Sequence, residues 1–109
     1  MQASEWNVAN IANWNRVKFP NNTESKQLRK IKQEVREFKE ASGYNARLEE
    51  LADVYIALAG LSRFTQLGDF FCYVFTKMEG FDKLQKAVNN KMRINVNRQF
   101  DKNMHHIGE

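Results

Sequence analysis

The sequence holds one cysteine, one proline and five glycines in 109 residues. A lone Cys72 excludes an intrachain disulfide framework, and no paired C-x-x-C is present for a zinc or redox site. Long hydrophobic runs are missing as well. The longest nearly apolar stretch, Leu51 to Leu61, is 11 residues long and contains Asp53, well short of the roughly 20 residues a membrane-spanning helix needs. Met1 to Asn7 carries neither the basic start nor the apolar run of a secretory leader, so a cytoplasmic protein is expected. Glycine-rich phosphate loops and Ser-His-Asp or Cys-His arrangements are also absent.

What is present is charge, unevenly placed. Seventeen Lys and Arg against 13 Asp and Glu give a formal net of +4. Between Glu34 and Asp53, six acids meet three bases, a local net of −3 that leaves +7 for the other residues. An acidic island in a basic body suits a bound cation flanked by groups that receive an anion. The plainer alternative is mixed charge on solvated helix faces. Nucleic-acid binding needs contiguous positive charge, whereas Lys26, Arg29, Lys30, Lys32, Lys83, Lys86 and Arg93 lie scattered among Gln, Asn and Glu.

The scarcity of Pro and Gly, with frequent Leu, Glu, Lys, Gln and Arg, predicts an all-α chain: an antiparallel bundle of four to five helices forming one domain over residues 1–109. A first helix is expected from about Glu5 to Arg16 behind Ser4 as N-cap, ending at Phe19-Pro20. A second begins after Asn22 or Thr23 and carries Leu28, Ile31, Val35 and Phe38 as an apolar stripe to Ala41, before Ser42-Gly43. The third, about Arg47 to Phe64, is apolar nearly all round and must be covered on both sides by other helices or another subunit. Residues Asp69 to Lys77 fit a short helix or a strand, with helix favoured. A last helix, capped by Asp82, is expected to reach Arg98 or Phe100, leaving an irregular tail over about 101–109. A domain this small gains from self-association, so a homo-oligomer is expected.

Glu34 and Glu37 are neighbours one turn apart on the second helix, with Glu34 about 40° from Phe38 at the edge of the apolar stripe. Glu50 and Asp53 repeat this spacing on the third helix, on the side shared with Ala57 and Leu61. Four carboxylates would then face one another across two helices. Burying them costs several kcal/mol per ion unless cations compensate. Oxygen donors without Cys or His suit Mg²⁺ or Mn²⁺. The competing reading is a structural ion pair with Arg or Lys.

On the last helix, Lys91, Asn95 and Arg98 continue the stripe begun by Leu84 and Val88, as if the helix end left the core for a polar cleft. There Lys acts as a point charge and Arg as a fork toward phosphate, or both pair directly with Glu50 or Asp53. Trp14 and Phe19 are candidates for core packing or for stacking on a nucleobase. Cys72 reads as a buried filler, and His105-His106 as an incidental pair or a metal ligand.

Glu34-Val-Arg-Glu37, a gap of 12 residues, then Glu50-Leu-Ala-Asp53-Val resembles the E-x-x-E, E-x-x-D signature of MazG-like nucleoside triphosphate pyrophosphohydrolases. Trp14 to Pro20, Asp53 to Leu61 and Lys91-Met-Arg-Ile-Asn95-Val-Asn-Arg98 are similar to further stretches of that family. His105-His106-Ile107 is similar to the tail of some short, often phage-borne members. The likeness spans most of residues 14 to 106, while Phe70 to Phe75 departs from it.

The resemblance implies an all-α dimer or tetramer that uses Mg²⁺, or Mn²⁺ in its place, to split a nucleoside or deoxynucleoside triphosphate into the monophosphate and pyrophosphate. Glu34, Glu37, Glu50 and Asp53 would be catalytic metal ligands. Lys91, Asn95 and Arg98 would contact substrate; the stacking of Trp14 on the base is an expectation from the residues alone. A non-catalytic helical module that senses nucleotide, or binds nucleic acid or a protein, is the alternative.

Overall fold

In a computed structural model, which describes residues 5–101 and 104–107, Asn7 caps the first helix by accepting from Asn10 N at 2.9 Å. That helix, α1, runs Val8–Lys18 and stops before Pro20. It starts three residues after the expected Glu5, because Asn7 takes the capping role; Ser4, the expected cap, lies outside the described residues. Thr23 Oγ1 accepts from Lys26 N and opens α2, Glu24–Glu40. Gly43, at φ +91°, turns the chain straight into α3, Tyr44–Leu61. A side chain is strained at such a φ, and the tight turn starts α3 three residues before the expected Arg47.

Thr65 caps α4, Gln66–Thr76, which settles the aromatic segment as helix. Gly80, at φ +84°, precedes α5, Phe81–Asn95, so Asp82 lies in the first turn instead of capping it. α5 is shorter than expected: Asn97 N and Arg98 N close short turns onto Ile94 O and Asn95 O. The tail also departs from expectation. Gln99–Phe100 (β1) pairs antiparallel with His106–Ile107 (β2), placing Gln99 opposite Ile107 and Phe100 opposite His106.

The architecture among the described residues is therefore an all-α bundle of five helices with one short strand pair. α3 is its axis, contacting α1, α2, α4 and α5. Every residue from Val54 to Leu61 is buried. Tyr55, Ile56 and Leu58 join Ile11, Val88 and Met92 in the core, and fully burying side chains of this size contributes about 1.5–3 kcal/mol each. Both sides of α3 are thus covered within the chain, which removes the need for a second subunit there. No helix among the described residues is long and apolar enough to cross a membrane.

α2 is rolled away from its apolar stripe. Ile31 and Phe38 pack on the core, but Leu28 and Val35 stay 44% and 38% exposed while Gln27 and Glu34 are buried. The face turned to α3 is Gln27, Ile31, Glu34 and Phe38. Two aliphatic side chains are left in solvent and two polar ones are taken inside, an arrangement that hydrophobic burial alone would not choose.

Gln27 is satisfied in a buried amide network. Its Nε2 donates to Ala57 O at 2.8 Å, and its Oε1 accepts from Asn22 Nδ2 at 2.7 Å and Asn15 Nδ2 at 3.4 Å. Arg63 Nη1 donates to Asn15 O, Asn15 Oδ1 and Phe19 O, fastening the end of α1 to α3. Gly60 makes room for this: a Cβ there would sit 2.7 Å from Gln27 Nε2 and 2.8 Å from Asn15 Nδ2.

Candidate functional site

The roll of α2 delivers Glu34 to α3. Glu34, Glu50 and Asp53 each offer a carboxylate oxygen within 4.8 Å of the other two. Glu34 is 7% exposed; its Oε2 lies 3.1 Å from Lys30 Nζ, and its Oε1 is buried without a hydrogen-bond partner. Glu50 Oε1 is likewise buried and unpartnered. Asp53 Oδ2 lies 3.3 Å from Lys91 Nζ. The ion pair that sequence reasoning set against a phosphate role for Lys91 is therefore formed, with Asp53.

Two ammonium groups against three carboxylates leave the cluster short of positive charge. Burial pushes the Glu34 carboxyl up from 4.5 to about 7; Lys30 opposes the rise and Asp53 adds to it. Glu50 is raised by burial and by Asp53, against the pull of Lys91. Asp53 is raised by burial despite Lys91. All three prefer a proton more than a free carboxyl does, as clustered, desolvated acids do. Oxygen-only donors with two orphaned buried atoms fit Mg²⁺ or Mn²⁺.

Glu37 does not join the three. Its Oε2 accepts from Gln33 Nε2 at 3.0 Å, although it lines the same cavity as Glu34 and Asp53. That cavity is about 420 Å³, the size of a small-molecule site. Lys91, Asn95 and Arg98 line it too. Arg98 arrives from the turn after α5 and not from the helix stripe, and its Nε is buried without a partner. Asn95 is buried, its Nδ2 against Met92 Sδ at 3.6 Å.

Trp14 and Phe19 form an aromatic wall with Phe100 of β1. Ring centroids are 5.5 Å apart for Trp14 and Phe19, 6.0 Å for Trp14 and Phe100, and 5.1 Å for Phe19 and Phe100, all edge to face. Trp14 also packs on the core, so packing and lining are combined in one side chain. Outside this cavity, Cys72 is the buried filler the sequence suggested: its Sγ is 3.8 Å from Tyr55 O, and burial holds its thiol up at about 12.

Several lining residues escaped the sequence reading. Lys30 precedes Glu34 by one turn, a legible i,i+4 pair, and is no member of the scattered surface bases. Phe100, Met104, His105 and His106 line the cavity because the tail folds back, which no periodicity announces. Comparison of the chain with protein-family models, curated proteins and solved structures finds no match.

Proposed function

We propose that the protein is a Mg²⁺-dependent nucleoside or deoxynucleoside triphosphate pyrophosphohydrolase, releasing the monophosphate and pyrophosphate. The observation that carries this reading is the under-neutralised trio Glu34, Glu50 and Asp53, with the Oε1 atoms of Glu34 and Glu50 buried and unpartnered, beside a cavity that also holds free guanidinium donor capacity on Arg98. The resemblance of Glu34, Glu37, Glu50 and Asp53 to the MazG-like signature supports the same assignment. Mg²⁺, or Mn²⁺, held by Glu34, Glu50 and Asp53, with Glu37 of the same cavity as the fourth acid, would offset phosphate charge and lower the pKa of a coordinated water.

The chain's own groups divide the remaining work. Lys91 and Arg98 bind phosphate oxygens, Arg98 through its unpartnered donor. Asn95 lines the same cavity, and Trp14, Phe19 and Phe100 supply the aromatic wall against which the base would pack. Water attacks the α-phosphorus, one of the four carboxylates takes its proton, and the bond to the bridging oxygen breaks to release pyrophosphate. Hydrolysis in ¹⁸O-labelled water tests this: the label belongs in the monophosphate, and label in pyrophosphate refutes attack at the α-phosphorus. A cytoplasmic location agrees with this chemistry.

A homo-oligomer, dimer or tetramer, is part of the proposal. Its support is α4, where Leu67, Phe70, Phe71, Tyr73 and Val74 are 44–58% exposed, an apolar surface typical of an interface. The same surface favours a second reading, a helical module that senses nucleotide and passes the signal to a protein partner. Tight binding of a nonhydrolysable triphosphate without turnover of the natural one identifies that alternative. Nucleic acid is not a proposed ligand.

A further inference from the structure

α2 carries two polar pairs one turn apart, Lys30 with Glu34 and Gln33 with Glu37. In each pair the first residue has a second partner, and both second partners belong to the tail. Lys30 Nζ, 3.1 Å from Glu34 Oε2, also donates to Met104 O at 3.2 Å. Gln33 Nε2 donates to Glu37 Oε2 at 3.0 Å, while Gln33 Oε1 lies 3.1 Å from His105 Nε2. Consecutive tail residues thus grip the two α2 side chains that hold acids one turn further on.

The tail is built to keep that grip. Met104 is 4% exposed and takes φ +67°, unusual for a residue with a Cβ. Its N donates to Asp101 O at 3.0 Å, Asp101 N to His105 O at 2.9 Å, and His105 N to Asp101 Oδ1 at 3.0 Å. Phe100, opposite His106 in the strand pair, holds the other end against Trp14 and Phe19.

The orientation of the Gln33 amide is the decisive detail. Its oxygen can only accept, so a hydrogen bond at this contact requires the Nε2–H form of His105. A donor at that point holds the amide in the one flip state that turns its NH₂ toward Glu37. The opposite flip would set amide oxygen against carboxylate oxygen. Glu37 is the acid outside the group whose oxygens converge within 4.8 Å, so what holds its carboxylate decides how it meets the cation.

We propose that His105 is a positioning residue of the cation site. Donating from Nε2 to Gln33, it fixes the amide that orients the Glu37 carboxylate, while Lys30 ties Met104 to Glu34, so that the tail hairpin is a working part of the site. The inference rests on reading Glu34, Glu37, Glu50 and Asp53 as cation ligands. Outer partners of metal ligands typically change affinity by about 10- to 100-fold when removed; for an exposed contact the lower figure applies.

Calorimetric titration of the full chain with Mn²⁺ tests this on the wild type, His105→Ala, His105→Gln, Gln33→Ala and the His105→Ala/Gln33→Ala double variant. His105→Ala is expected to weaken Mn²⁺ binding about tenfold. His105→Gln, whose amide N–H can replace the imidazole donor, recovers most of the loss, which a folding defect would not allow. In the Gln33→Ala background the His105 substitution adds nothing further. Unchanged affinity in His105→Ala, no recovery by His105→Gln, or equal losses with and without Gln33 overturns the proposal. A wild type that binds no Mn²⁺ overturns the cation reading itself, and this inference with it.

Discussion

Replacing Glu34 by glutamine removes one negative charge from the acidic cluster while keeping the side chain's shape and an acceptor for Lys30. In the folded chain the Glu34 carboxyl holds its proton up to about pH 7, against 4.5 when free. Below pH 4.5 both folded and unfolded states are protonated, and the charge has no effect on stability. Between 4.5 and about 7 the folded state binds the proton that the unfolded state has lost, so stability falls as pH rises. Above 7 the full loss persists. At about 1.4 kcal/mol per pH unit the interval sets a ceiling of about 3 kcal/mol. Solvent screening at the open cavity reduces this to about 1.5 kcal/mol.

Glu34→Gln should therefore be more stable than the wild type at pH 8 without divalent cations, by about 5–10 °C in Tm for a domain of this size. At pH 4 the two should melt together. Added Mn²⁺ should raise the wild-type Tm by mass action and leave the variant nearly unmoved. Thermal melts followed by circular dichroism at the two pH values, with and without Mn²⁺, give all four numbers. A variant less stable than the cation-free wild type at pH 8 would refute the reasoning, because the cluster would then be a satisfied structural ion-pair network.

The remaining predictions concern other parts of the same structure. Gly60→Ala should destabilise the fold by about 2 kcal/mol, measured by urea denaturation, because its methyl group would displace the Gln27 and Asn15 amides and leave buried polar atoms unpaired. Lys91→Gln and Arg98→Gln should raise KM for the triphosphate about tenfold or more, through loss of charged phosphate contacts of about 1.5–3 kcal/mol; an unchanged KM in steady-state assays would place both residues outside the substrate site. Phe70→Ser with Phe71→Ser should shift the chain to monomer in light scattering, and an unchanged mass would remove α4 as the interface.

The helices were legible where composition and punctuation acted locally. Thr23 and Gly43 are local signals, and the apolar stripe of α2 predicted a helix correctly, whereas α1 begins behind Asn7 and not at the expected Glu5. The stripe misassigned the buried face, because Gln27 and Glu34 turn inward to groups on α3, Ala57 O thirty residues on in the case of Gln27 and the Glu50 and Asp53 carboxylates in the case of Glu34. The acids of the site could be read from spacing, since i,i+3 pairs on two adjoining helices have few ways to lie. Three of them converge; Glu37, whose carboxylate accepts from Gln33, remains apart. The tail was illegible: a two-residue strand pair, a left-handed Met104 and single hydrogen bonds to Lys30 and Gln33 leave no periodic trace. The aromatic wall was half visible, Trp14 and Phe19 from their place before α2, and Phe100 only once the chain had folded back.

The central claim is that the acidic cluster serves hydrolysis of a nucleoside triphosphate, and direct measurement of pyrophosphate release tests it. Purified protein is incubated with Mg²⁺ and each common ribo- and deoxyribonucleoside triphosphate in turn, with Asp53→Asn as the control. Equimolar monophosphate and pyrophosphate are expected from at least one of them, lost in the control while its fold is kept. No release from any triphosphate, with either Mg²⁺ or Mn²⁺, would contradict it.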